Sequence, residues 1–155
     1  MPRRHWLMKV EPSAYTIDDL RREGRTGWEG VRNYKARNFL RDEIRVGDGV
    51  LFYASNAEPS GVTGIAEVVK AGYPDPLQFK PGHDYHDPKA TADRPIWYAV
   101  DIGFVERFPE VVALADLKAN AALRSMMVIK RGMRLSVQPV TREDFEEVRR
   151  MGRRG

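Results

Sequence analysis

The residues best equipped for chemistry gather in residues 27–41, GWEGVRNYKARNFLR. Trp28 and Tyr34 offer flat π-faces, Arg32, Arg37 and Arg41 guanidiniums, and Asn33 and Asn38 amides. An aromatic face beside arginine is what a protein needs to stack a base and hold its phosphates. Small polar residues follow elsewhere: Ser55-Asn56 after an apolar run, and Ser136 and Gln138 within LSVQPV, where Pro139 comes next. Their donors and acceptors suit the Watson–Crick edge of a base, while Lys9, Arg32 and Arg37 carry charge for phosphates. Stacking contributes about 1–3 kcal/mol per base. Extruding a base from a duplex costs a similar few kcal/mol, so edge or phosphate contacts must be added. The same residues also admit a structural account. In it Trp28 and Tyr34 are core, the arginines form a solvated helix face, Ser55 and Asn56 close a hairpin, and Gln138 satisfies a backbone group.

Other chemistries find less support. Glu11 and Glu29 are a conceivable acid and base, and a nucleotide- or nucleic-acid-processing enzyme is the alternative they carry. His83-Asp84-Tyr85-His86-Asp87 holds ligand types, but HxxH in a Pro-rich loop lacks the helical i,i+4 spacing that brings two imidazoles to one metal. No metal or cofactor is expected. No nucleophile elbow, P-loop or dinucleotide fingerprint occurs, and Gly47-Asp48-Gly49 precedes a strand, the wrong context. The absence of cysteine removes disulfides and thiolate chemistry. With 42% apolar and 31% charged residues the chain reads as a folded protein, and a net charge of +4 favours an anionic partner. An adaptor for acidic protein segments fits that charge but leaves the polar strand ends unused. No apolar run reaches the roughly 18 residues of a membrane span, and MPRRHWLMKV lacks a signal-peptide apolar core. The expectation is a monomer away from membranes, cytoplasmic, or nuclear in a nucleated cell.

The elements that must position these groups are legible in outline. Residues 6–10 read as a strand ended by Pro12, with Lys9 and Glu11 on one side of it. Thr16 and Asp19 form a capping box for a short helix through Glu23, which Gly24 ends. Residues 27–30 read as a turn that lifts Trp28 onto a Gly-flanked loop. Asn33 caps a helix whose Ala36, Phe39 and Leu40 face the core and whose Tyr34, Arg37, Asn38 and Arg41 face outward. Residues 50–54 form a strand buried on both sides, joined by a hairpin to residues 61–69, where Gly64 suggests a bulge or a close backbone approach. Residues 71–94 read as a long ordered loop in which prolines bar regular structure. A strand follows over 96–108, then one or two short helices over 114–126. A last strand covers 134–140, with Ser136 and Gln138 sharing a side, and Thr141 and Asp144 cap a final helix. This pattern gives an α+β fold with a small curved sheet or barrel.

In their order along the chain, several pieces resemble a known family. They are Trp6-Leu7-Met8-Lys9-Val10-Glu11-Pro12, the run from Trp28 to Tyr34 with Ala36-Arg37-Asn38, Phe52-Tyr53 with Ser55-Asn56, Gly64-Ile65-Ala66-Glu67-Val68, Asp87-Pro88-Lys89, and Leu135-Ser136-Val137-Gln138-Pro139-Val140. Together they are similar to the EVE domain, a relative of the PUA and YTH folds. The resemblance covers nearly the whole chain and implies one EVE domain over residues 1–155. It implies a PUA-like small mixed β-barrel of five to six strands with flanking short helices. It also implies a cleft that accepts a modified nucleobase, in DNA or RNA, by binding rather than catalysis. The His83–His86 loop and the basic residues 149–154 depart from the family pattern and receive no role from it.

Overall fold

The computed structural model describes residues 3–154. It contains one pair of adjacent parallel strands, β1 (His5–Val10) and β3 (Gly49–Ala54), with Lys9 opposite Tyr53 and Val10 opposite Ala54. Around them β2 (Arg25–Trp28), β4 (Gly61–Pro74), β5 (Tyr98–Ala113) and β6 (Val137–Val140) complete a six-stranded mixed sheet of order β2-β5-β4-β3-β1-β6. The α+β class and the strand number agree with the sequence. The barrel does not: β2 and β6 are the two edges and do not pair with each other, so the sheet stays open.

Period-two alternation explains why this sheet needs cover on both faces. Trp6, Met8, Val50 and Phe52 pack on one side with Trp28, Val31, Ala36 and Leu40. Leu7, Leu51 and Tyr53 pack on the other with Leu117, Leu123, Phe145 and Val148. The first face is covered by α1 (Ile17–Glu23) and by α2 (Tyr34–Asn38), which runs on as a π-type turn over Phe39–Glu43. The second is covered by α3 (Leu114–Ala119), two 3-10 turns and α4 (Arg142–Arg154). The caps are those expected. Thr16 and Asp19 form the full capping box, and the Asn33 side chain accepts from the Ala36 N–H at 3.1 Å. The Asp144 N–H donates to the Thr141 hydroxyl at 3.1 Å.

Four elements depart from the sequence reading, one of them β2, a strand over Arg25–Trp28 where a turn at 27–30 is expected. β4 continues through Pro74, and Pro76 opens a 3-10 turn, Pro76–Phe79, so the proline-rich stretch is more regular than its composition implies. Proline is compatible with a strand end and with the first position of a helical turn. The fifth strand starts at Tyr98 and runs to Ala113. The last begins only at Val137. The β3–β4 hairpin and a register shift at Gly64 are present as read.

Candidate nucleic-acid interface

Beyond the carboxyl ends of the parallel pair the chain opens into a cleft of about 800 Å³. Its position follows from register. Because β1 and β3 end side by side, Glu11 and Ser55-Asn56 leave the sheet together, and the Ser55 N–H donates to the Val10 carbonyl at 2.9 Å. Asn56 then takes a left-handed backbone, φ 51°, which its short amide side chain tolerates better than most residues. Its Nδ2 donates to Glu11 Oε1 at 2.6 Å. Lys9 reaches across to donate to the Met133 carbonyl at 3.2 Å and lies 5.8 Å from the Tyr53 ring centroid. Partial burial pushes the Lys9 pKa down.

The opposite wall comes from the segment after β2. Trp28, read from sequence as held out on a loop, is instead the last residue of β2, opposite Val100. It is only 7% exposed and meets Phe52 edge-on, ring centroids 5.7 Å apart. It therefore belongs to the core while one part of it lines the cleft. The flanking glycines serve close approach. Gly30 has φ +84°, and a Cβ there would meet the Tyr85 ring at 2.8 Å. Tyr85 closes this side of the cleft, and its carbonyl accepts from Arg32 Nη2 at 2.8 Å and Nε at 3.3 Å.

Arg32 is fully committed. Its Nη1 donates to Asp75 Oδ2 at 2.9 Å, and Asp75, 0% exposed, also accepts from the Gly30 N–H at 2.8 Å. The guanidinium stacks between Tyr85 and Trp97, 5.2 and 5.3 Å from their ring centroids. A free phosphate grip is therefore not what Arg32 presents. Glu29 lines the same cleft, its carboxyl pKa pushed up by partial burial and then by the charge of Asp75. Tyr15, also in the cleft lining, is raised to about 12 by burial and by the hydrogen bond it donates to Glu23 at 2.6 Å.

A family model described as the EVE domain matches residues 4–151. The chain belongs to the EVE-domain family. Thymocyte nuclear protein 1 of Homo sapiens is 38% identical across 93% of this EVE domain and 72% of that protein. Its counterpart in Danio rerio is 40% identical, over 92% and 69%. Among solved structures, a Pseudomonas syringae protein superposes with a TM-score of 0.90 at 45% identity, over 95% of this chain and 98% of that one. The human THYN1 protein, in a crystal with DNA containing 5-methylcytosine, superposes with a TM-score of 0.88 at 37% identity, over 96% and 97%.

In this EVE domain the cleft gathers Lys9, Glu11, Trp28, Arg32, Ser55, Asn56 and Ser136 from four separate segments. Five other residues singled out in the sequence lie off its lining. Asn33 is the helix cap. Tyr34, 59% exposed, stacks on Trp97 at 4.8 Å outside the cleft. Arg37, expected on a free helix face, is half-buried: its Nη1 donates to the Ile96 carbonyl at 2.6 Å and its guanidinium covers Tyr34. Gln138 does not share a face with Ser136. It is 1% exposed, and its amide donates to the Leu135 carbonyl at 2.8 Å, because β6 begins only after Ser136 and the alternation does not extend back to it. Pro139 pairs opposite Trp6 in the sheet. The sequence reading missed Tyr15, Tyr85, Met133 and Arg134 as lining residues. Tyr85 stood out only as an isolated aromatic in a loop, and local spacing holds no signal that brings it over Gly30.

Proposed function

We propose that this EVE domain binds nucleic acid and reads a modified base in the cleft, leaving the base chemically unchanged. One observation carries the reading. A cleft within the several-hundred-Å³ range of ligand sites combines aromatic surface from Trp28 and Tyr85 with the polar groups of Glu11, Ser55, Asn56 and Ser136, in a chain 37% identical to a protein crystallised with 5-methylcytosine-containing DNA. In this reading the aromatic rings flank the base. Ser55, Asn56 and Ser136 meet its edge, and Glu11 accepts from an exocyclic amine in place of the Asn56 amide. The methyl-sized increment of a modified base is then sensed by packing, where one methylene changes binding by about 1–3 kcal/mol.

A second reading rests on Glu11 and Glu29, two carboxylates in one cleft, one with a raised pKa, as an acid–base pair would require. A single experiment separates the two. The protein is titrated against DNA and RNA oligonucleotides, each with and without one modified base, and the oligonucleotide mass is followed over hours. Affinity should change for one or two modifications while every mass stays constant. Time-dependent loss of the modification, with a matching product, would replace the reader with the acid–base enzyme.

A further inference from the structure

We propose that the turn at residues 130–134, on the rim of the cleft, grips the nucleic-acid backbone through Lys130, Arg131 and Arg134. The inference rests on the nucleic-acid reading above and gives its phosphate contacts a different address from the helix arginines that the sequence points to.

Charge is unevenly distributed along the chain. From Leu117 to Arg142 the sequence contains Lys118, Arg124, Lys130, Arg131, Arg134 and Arg142 and no acidic residue. Elsewhere nine arginines are held in ion pairs with carboxylates among the described residues. Arg4 pairs with Glu43, Arg25 with Asp101, Arg32 with Asp75, Arg41 with Asp42 and Arg107 with Asp18. Three arginines of α4 meet the same fate: Arg149 and Arg153 share Glu106, and Arg150 holds Glu147. Lys130, Arg131 and Arg134 are all exposed, and their side chains make no hydrogen bond or ion pair among the described residues.

Arg134 lines the cleft, and Lys130 and Arg131 are exposed in the same turn beside it. Met133 and Ser136 line the cleft as well. The turn is fixed by its backbone: Lys130 N–H donates to Met127 O at 3.0 Å, Met133 N–H donates to Lys130 O at 3.2 Å, and Gly132 takes φ +76°. Lys9 Nζ, donating to the Met133 carbonyl at 3.2 Å, ties the turn to the end of β1. The rim is thus held in place by its main chain while its charged side chains stay available. A base seated in the cleft brings its flanking phosphates to this rim. Neutralising those phosphates releases counterions, so the contribution is read in the salt dependence of binding and not in base selectivity.

The test compares the wild type with a rim variant, Lys130→Gln/Arg131→Gln/Arg134→Gln, and with a control of equal charge change, Arg22→Gln/Arg107→Gln/Arg150→Gln. Binding of a labelled duplex carrying one 5-methylcytosine, and of its unmodified twin, is measured across a series of salt concentrations. Every rim cation that no longer meets a phosphate should lower the slope of log Kobs against log salt by about 1. The slope should fall for both duplexes, their affinity ratio should persist, and the control should keep the wild-type slope. The single variant Arg131→Gln should reduce the slope by about 1. An unchanged slope in the rim variant, or an equal fall in the control, would overturn the proposal. If the wild type binds both duplexes equally, reading of 5-methylcytosine fails, yet the slope comparison still decides the role of the rim. Absence of binding to either duplex would overturn the rim proposal and the DNA form of the reading.

Discussion

Trp28 shows how one side chain can belong to core and cleft together. Its indole fills space against Phe52 and still lines the opening. The flanking glycines point to a displayed residue whose loss leaves the fold intact; the burial says otherwise. Trp28→Ala should destabilise the fold by about 3–5 kcal/mol, the usual range for truncating a buried aromatic. A thermal melt beside an oligonucleotide titration checks this: a strongly lowered Tm is expected, with weakened affinity even in the folded fraction. Trp28→Phe, which keeps most of the packing and an aromatic face, should recover much of both. A Tm within experimental scatter of the wild type for Trp28→Ala would remove the indole from the core.

At the scale of elements, the long segment between β4 and β5 is ordered by a few polar residues, of which Asp75 and Gln78 are fully buried. The Gln78 Nε2 donates to the Asp75 and Trp97 carbonyls at 2.9 and 2.7 Å, and its Oε1 accepts from the Ile96 and Trp97 N–H groups at 2.9 Å each. Asp87 accepts from the Trp97 indole N–H at 2.8 Å, and Asp75 bonds both Gly30 and Arg32. These bonds hold the Tyr85 wall against the segment that follows β2. Asp75→Ala leaves the Arg32 guanidinium, the Gly30 N–H and the Leu77 N–H without their shared acceptor. Removing one partner of a buried ion pair costs about 3–5 kcal/mol, and a loss near that size is expected in urea unfolding. Hydrogen exchange should also rise in residues 29–32 and 75–87 together. Faster exchange in only one of the two segments would show that Asp75 does not couple them.

At the scale of the molecule, the sheet separates cleft from scaffold. α4 packs through Phe145 and Val148 into the cluster on the face opposite that of Trp28, and its Gly152 lies directly against the Phe108 ring. A Cβ at residue 152 would fall inside that ring's contact distance. Gly152→Ala should thus push α4 off the sheet and lower stability by about 1–3 kcal/mol, as overpacking does. Oligonucleotide affinity of the folded protein should be unchanged, because the strain is on the far face. Reduced affinity with an unaltered Tm would show instead that α4 takes part in binding.

The sequence by itself determined whatever depends on neighbours along the chain. The caps at Thr16, Asn33 and Thr141, the doubly buried β3, the β3–β4 hairpin and the bulge at Gly64 all arise from local spacing and turn chemistry. The family likewise follows from short motifs in order. Only the tertiary structure decided which polar groups remain available. Arg32, Arg37 and Gln138 have the right types at suggestive spacings, but Asp75, the Ile96 carbonyl and the Leu135 carbonyl occupy them. Two of those three partners lie more than forty residues away, beyond the reach of any periodicity. Gln138 fails for a closer reason: its strand begins too late for the alternation to hold back to Ser136. Conversely, Tyr85 and Arg134 carry no local signal, and they reach the cleft because the β4–β5 connection folds over Gly30 and the 130–134 turn is tied to Lys9. Closure was also beyond local reading. Strand count and alternation are compatible with both a barrel and an open sheet, and the choice is made by which strands end up as neighbours.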